Sequence, residues 1–392
     1  MAEQADVVIV GGGVNGSSIA YQLVKRKYGK IILIEKTGLA SGSTGKSAGI
    51  VRQHYSNPVI IQMVIESRRF FERIEEEVGG YPGFVQNGFI LLVAEPEVEA
   101  LQANVATQRE LGLQVDILQP DELQKFFPGI NQEGVALASY ESTSGYADPH
   151  GTSVAFAERA KALGVDVRIG QQVTGVRVQN DRVCGVDTDQ GVIETPVVVN
   201  AAGPWGKQLA QSVGIELPLQ PKRLQETIIK STDDYPKDNP SVIDLHKLVY
   251  FKPEPGGLIL VGGGITDDNN PVNPDRYKEQ ADFETVADVT ERLAFRMPHM
   301  ADASFMRGWA GVITVTPDFH PIIGKAPEVE GFIHAMSCSG HGFKLSPAVG
   351  MLISELIIDG HTSTIDISSL GPDRFKNGKP FTSRYAAFPI LA

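Results

Sequence analysis

The chain has 392 residues and a formal charge of −12, from 35 Lys plus Arg against 47 Asp plus Glu. That length predicts two domains or one two-lobed unit, and 42% hydrophobic with 21% charged residues exclude a wholly disordered or fibrous chain. The acidic balance argues against a nucleic-acid or anionic-membrane partner.

Two cysteines, Cys184 and Cys338, are too few for a disulfide framework or a four-cysteine zinc site. Residues 1–6 lack the positive region of a secretory signal. The apolar runs at 7–10, 31–34 and 258–261 are strand-sized, well short of the roughly 18 residues of a membrane span. A cytoplasmic protein without a membrane span is expected.

The apolar run 6–10 reads as a buried parallel strand. It is followed by G-x-G-x-x-G at Gly11, Gly13 and Gly16, then by helical spacing at Val14, Ile19, Leu23 and Val24. A second strand, 30–34, ends in Glu35, which lies 24 positions after Gly11. Strand, glycine turn, helix, strand and acid in this order point to a dinucleotide site. Gly11 permits the turn, Gly13 admits the pyrophosphate, and Gly16 lets the helix lie against the strand. The helix N-terminus offers N–H groups to phosphates, and Glu35 suits a ribose hydroxyl. The motif alone does not separate NAD from FAD. A second glycine run, 262–264, has no helical pattern after it and reads as a strand entering a loop.

Further along, 84–94 reads as a strand, 96–111 and 120–127 as helices, and 145–149 as a turn into a helix over 153–163. Segments 165–169, 175–179 and 183–187 read as a small meander. Segments 220–231, 248–252 and 258–262 read as strands of a larger antiparallel sheet, and 282–295 as a helix. Segment 197–203 is a strand ending in small residues, with Pro204 and Trp205 starting a helix. Segment 331–336 is a strand, 337–344 a glycine-rich turn, and 345–358 a helix. The expected fold is a Rossmann-type α/β unit with a second α+β unit built on an antiparallel sheet. The first would be discontinuous, at 1–85, 146–215 and 320–392, with the second at 86–145 and 216–319.

Several of these motifs resemble the D-amino-acid-oxidase superfamily of flavoproteins, in its sarcosine oxidase and dimethylglycine dehydrogenase branch. They are 10–16 with Glu35, 41–44, Arg52-x-x-Tyr55, 197–205, Trp309-Ala310-Gly311 with Thr316-Pro317-Asp318, 339–344, and Pro372-Asp373-Arg374-Phe375. The resemblance implies FAD, bound through Gly11, Gly13, Gly16, Glu35, Lys36, Ser43, Thr44, Lys46, Ala201, Gly203, Trp205, Gly311, Gly340, His341, Gly342, Phe343 and Lys344. It implies that Arg52 and Lys344 hold a substrate carboxylate, and that the helix after the 337–344 turn points at the flavin ring. Tyr55 and Tyr250 would be pocket walls. His341 would be a structural histidine of the Gly-His-Gly turn, with a catalytic base as the other reading.

Where relatives attach the flavin covalently, this chain has Gly311 in place of a cysteine and Lys46 in place of a histidine. Non-covalent FAD is therefore expected. Ile259 stands where oxidases of the branch carry an oxygen-activating lysine, which favours a dehydrogenase, or one subunit passing electrons to an acceptor. His54, His150 and His320 show no metal-ligand spacing. The expected reaction is hydride loss from a small secondary or tertiary amino acid of the sarcosine, dimethylglycine or proline type. A 2-hydroxy-acid dehydrogenase, which would need His54 or His341 as base, a non-catalytic flavin-binding subunit and an NAD enzyme remain open.

Overall fold

The computed structural model describes residues 3–231, 235, 236, 238–263, 271–336 and 339–385. Four apolar residues in a row make Val7–Val10 (β1) a strand that is buried on both faces. Helix Val14–Lys25 (α1) returns the chain to Ile31–Glu35 (β2), which runs parallel to β1 with Val7 opposite Ile31. Two more helices follow, Pro58–Phe71 (α2) and Pro149–Ala162 (α3). Asp166–Ile169 (β3) extends the sheet beyond β2, and Val198–Asn200 (β4) lies parallel on the other side of β1. Ile322–Lys325 (β5) and Phe332–Met336 (β6) form an antiparallel hairpin whose second strand is parallel to β4. Gly342–Ile358 (α4) completes the unit. The strand order is β5-β6-β4-β1-β2-β3.

Alternation along β1 sorts the core into two layers. Val7 and Ile9 belong to the hydrophobic cluster that includes α1 and α4, where α1 packs on both α3 and α4. Val8 and Val10 belong to a second cluster. That face is covered by the strands Val173–Gln179, Arg182–Thr188 and Gly191–Glu194.

A second sheet has eight strands, in the order Ser304–Val315, Gln220–Lys230, Leu258–Gly263, Val249–Glu254, Ser241–Asp244, Phe89–Val93, Leu137–Glu141, Asp116–Leu118. Every pairing is antiparallel except that of Ser241–Asp244 with Phe89–Val93. Those two strands come from distant segments, so no hairpin dictates their direction. Phe89 and Leu91 face the core shared with α1, whereas Ile90 and Leu92 face a third cluster beneath helix Phe283–Arg296.

The structure revises several sequence expectations. Segment 165–169 joins the parallel sheet as β3 instead of the meander. Helix α3 begins at Pro149, before the expected 153, because Asp148 caps it by accepting His150 N–H at 3.0 Å and Pro149 suits the first turn. The helix expected over 120–127 is a 3₁₀ turn, Pro120–Glu122, followed by the short helix Leu123–Phe126. Helix α4 starts at Gly342, three residues earlier than expected. Helix α2, capped by Asn57, and the long strand Ser304–Val315 are elements the sequence patterns left unread. The loop after Gly263, at 264–270, and Cys338 lie outside the described residues. Among the described residues no helix is long and apolar enough to cross a membrane.

Candidate active site

The β1–α1 turn is built by two glycines. Gly11 takes φ +112°, and a Cβ there would press on the Ala201 carbonyl beside β4. A Cβ on Gly16 would collide with the Gly11 carbonyl oxygen, so glycine is what lets α1 lie close to β1. At the end of β2 the Glu35 carboxylate is held in place, Oε2 accepting Gly12 N–H at 2.8 Å and Oε1 accepting Thr37 N–H at 2.9 Å. Thr44 Oγ1 accepts Val14 N–H at 3.2 Å, which closes the segment after Glu35 over the start of α1.

These elements open into a cavity of about 480 Å³ that reaches from Glu35 to the start of α4. Gly11, Gly13, Glu35, Lys36, Ser43, Thr44, Lys46, Arg52, Ala201, Gly203, Trp205, Tyr250, Gly311, Gly340, Gly342, Phe343 and Lys344 all border it. Gly16, Tyr55 and His341 do not border it. Gly16 acts through helix packing, as above. Tyr55 is 0% exposed and lies under Arg52, whose guanidinium carbon is 4.1 Å from the ring centroid, so it supports the cation rather than forming a wall. The His341 ring is turned into the protein against Tyr55, with ring centroids 5.0 Å apart.

Two cations meet at the inner end. Arg52 is 3% exposed and its Nη1 donates to the His54 carbonyl. Burial pulls its pKa down, with Tyr55 and Glu141 acting in the opposite sense. Lys344, in the first turn of α4, donates to Gly340 O at 3.2 Å. Burial, and then the charge of Arg52, hold its ammonium well below the usual lysine range. An anion brought between them would relieve both. The same first turn offers N–H groups that have no intrahelical acceptor.

Behind Arg52 lies a polar cluster. His54 Nε2 is 2.7 Å from Tyr385 Oη, and Nδ1 is 3.9 Å from Glu141 Oε1. Burial and Arg52 push the His54 pKa down to about 3, so the ring is neutral. Burial raises Glu141 to about 7 despite hydrogen bonds from Ser144 Oγ at 2.5 Å and Gln53 N–H at 2.8 Å. Neither His54 nor Glu141 borders the cavity.

Three features escaped sequence reasoning. Glu226 borders the cavity and accepts a hydrogen bond from Tyr250 Oη at 2.6 Å. Asp275 accepts from Lys36 Nζ at 2.9 Å and Trp205 Nε1 at 2.8 Å, while Lys36 Nζ lies 3.7 Å above the indole. Lys46 Nζ reaches Tyr277 Oη at 2.5 Å and Glu279 at 3.0 Å. The segment from Asp275 to Glu279 thus ties down Lys36, Trp205 and Lys46, three residues that border the cavity; only its acids hinted at this, and acids are common on any surface loop. Ile259 is fully buried in the third hydrophobic cluster and does not border the cavity. A Cβ at Gly311 would lie 2.9 Å from Lys46 Cβ, so these two residues pack against each other. Arg374 and Asp318 form a buried ion pair that ties the C-terminal segment to the turn after Ser304–Val315. Among the described residues no group of three or more His, Cys, Asp or Glu side chains is arranged to hold a metal.

The chain matches the family model described as FAD dependent oxidoreductase over residues 6–356. It is 32% identical to FAD-dependent oxidoreductase domain-containing protein 1 of Xenopus laevis, across 97% of this chain and 85% of that one. It is 28% identical to the mitochondrial dimethylglycine dehydrogenase of Rattus norvegicus, across 98% of this chain but only 46% of the rat enzyme. Among solved structures, L-proline dehydrogenase from P. horikoshii superposes with a TM-score of 0.89 at 29% identity, covering 97% of this chain and all of the other. The glycine turn, Glu35 and the cavity they open fit a dinucleotide, and the chain belongs to the family of FAD-dependent oxidoreductases.

Proposed function

We propose that the protein binds FAD non-covalently and oxidises a small secondary or tertiary amino acid of the sarcosine, dimethylglycine or proline type. The observation that carries this reading is the pair of buried cations, Arg52 and Lys344, bordering the same cavity as the glycine turn. When bound, the flavin supplies the acceptor for a hydride from the carbon beside the substrate nitrogen. Glu35 suits the ribose, and the N–H groups at the start of α1 suit the phosphates. Arg52 offers a fork to the substrate carboxylate and Lys344 a point charge. Tyr55, stacked beneath Arg52, fixes the direction of that fork. The start of α4 supplies N–H groups and a positive dipole end where negative charge develops.

Non-covalent attachment is supported by Gly311 and Lys46, which stand where relatives are expected to carry an attaching cysteine and histidine and which both border the cavity. The dehydrogenase reading, with electrons passing to an acceptor or partner subunit, is supported by the matched rat dimethylglycine dehydrogenase and P. horikoshii L-proline dehydrogenase; Ile259, which does not border the cavity, adds nothing to it. The cofactor unit would comprise 1–85, 146–215 and 320–392. The proposal locates the enzyme in the cytoplasm, whereas the matched rat dehydrogenase is mitochondrial.

The test is anaerobic reduction of the bound flavin by sarcosine, dimethylglycine, proline and their 2-hydroxy-acid counterparts, repeated with oxygen admitted. Bleaching by an amino acid that persists in air supports the proposal. Bleaching by hydroxy acids alone, or by none of these, overturns it.

A further inference from the structure

One polar contact in the cavity has no part in the carboxylate clamp. Glu226 and Tyr250 stand on strands separated by Leu258–Gly263, and each is paired with Gly262. A Cβ at Gly262 would collide with Tyr250 Oη and lie 2.7 Å from Glu226 Oε2. The absent side chain is the gap in which the tyrosine hydroxyl reaches Glu226 Oε1. Glu226 is 2% exposed, and its Oε2 is buried without a hydrogen-bond partner among the described residues. A buried, half-satisfied carboxylate is costly, and a donor arriving in the cavity would complete it.

Resting on the amino-acid reading above, we infer that the Glu226 carboxylate, held by Tyr250, accepts the proton that the substrate's ammonium group gives up in the site. The N–H bond of the ammonium breaks and an O–H bond forms on Glu226. The nitrogen keeps the electron pair, and no oxidation occurs in this step. A neutral amine is what can lose hydride from the adjacent carbon, because its lone pair stabilises the resulting cation. Arg52 and Lys344, which border the same cavity, oppose a bound ammonium by like charge. The charged and titratable groups acting on Glu226 are Tyr250, Lys252 and Glu254. Burial raises the Glu226 carboxyl to about 8, with Tyr250 and Lys252 lowering it and Glu254 raising it.

This gives a proton count that can be read without turnover. At neutral pH the free site holds Glu226 as the acid and the free ligand is an ammonium, so Glu226 gives its own proton to solvent as the ligand enters and then accepts the ligand's. The complex retains one of these two protons, so about one is released to solvent; the nitrogen NMR shift of the bound, isotope-labelled ligand then tells a neutral amine, as inferred, from an ammonium, which would overturn the inference. Above the Glu226 transition the carboxylate is already ionised and the release vanishes. The probe is 2-aminoisobutyrate, which has no hydrogen on Cα and no N-alkyl group to oxidise. Isobutyrate is its amine-free control. Both carry the carboxylate, so any proton taken up by Lys344 is common to the two and subtracts.

Calorimetry of the FAD-loaded enzyme, in buffers of different ionisation enthalpy, gives the protons released by each ligand. The difference should be about one proton near pH 6.5 and fall towards zero by about pH 9. In Glu226→Gln that step should be absent, with FAD content and melting temperature confirming a folded protein. If Glu226→Gln does not fold, Tyr250→Phe decides: losing the donor to the carboxylate should move the step to higher pH. An unchanged step in Glu226→Gln, or an unmoved one in Tyr250→Phe, overturns the inference. So does a wild-type enzyme that shows no step while amino acids still reduce its flavin, and in that case the proposed function stands. If no amino acid reduces the flavin, the function itself fails.

Discussion

Replacing Arg374 by methionine should destabilise the protein and loosen the corner that carries Lys344. Arg374 Nε and Nη2 donate to Asp318 Oδ2 and Oδ1 at 2.8 and 3.0 Å, and the two side chains are 4% and 1% exposed. Arg374 also donates to the carbonyls of Leu370 at 2.9 Å, Gly371 at 3.2 Å and His320 at 3.0 Å. Methionine fills much of the volume but leaves a buried carboxylate with only the backbone N–H groups of His320 and Phe381, each at 3.2 Å. Breaking a buried pair in this way costs about 3–5 kcal/mol.

The pH dependence follows from Asp318. Burial raises its pKa, but the Arg374 bonds and charge outweigh that and leave it below the usual value of 3.8. A carboxyl depressed in the folded state stabilises the protein above its unfolded pKa and stops doing so as pH falls through the folded one. The gap between wild type and Arg374→Met should therefore be complete at neutral pH and close below about pH 4. The perturbation also reaches the site. Thr316 N–H donates to Ser339 Oγ at 3.2 Å, and Ser339 N–H to Thr314 O at 2.5 Å, so the turn anchored by Asp318 holds the residues just before α4. Carboxylate affinity should fall along with stability. Urea titration of the FAD-loaded protein at two pH values, with isobutyrate binding alongside, measures both effects. A loss under about 1 kcal/mol at neutral pH would refute this reasoning.

Lys344→Met should raise the Kd for isobutyrate about 10- to 100-fold, the worth of one charge-assisted hydrogen bond, while FAD stays bound; a flavin-absorbance titration checks this. Gly16→Ala forces α1 away from β1, because the new methyl would overlap the Gly11 carbonyl; FAD content after gel filtration should drop sharply. Acid precipitation should leave the flavin in the supernatant, and a yellow pellet would disprove non-covalent attachment. Asp275→Asn removes the charge that Lys36 meets at 2.9 Å. It should speed flavin dissociation in stopped-flow exchange with little change in substrate affinity.

The dinucleotide turn was legible in the sequence because its logic is local. Gly11, Gly13, Gly16 and Glu35 lie within one strand–helix–strand unit, and their spacing alone specifies it. Lys344 was legible only through the resemblance, and its segment read as a glycine turn, whereas the helix already starts at Gly342. Side-chain direction was less accessible. Ser339 and Gly340 take φ values of +65° and +84°, and His341 next to them turns inward instead of towards the cavity. Tyr55 likewise sits beneath Arg52. Residues 165–169 alternate apolar and charged side chains, a pattern that looks the same in either sheet, and only pairing with β2 decides between them. Glu226 gave no signal, since its burial depends on Gly262 being opposite both it and Tyr250, a relation across three strands. Asp275 is 239 residues from Lys36, so no local pattern could join them.

The most direct measurement is a crystal structure of the FAD-loaded enzyme with isobutyrate bound. The flavin ring should lie between the turn at Gly11–Gly13 and the start of α4, with the isobutyrate carboxylate within hydrogen-bond reach of both Arg52 and Lys344. A ring elsewhere, or a carboxylate that meets neither cation, would contradict the proposed catalyst.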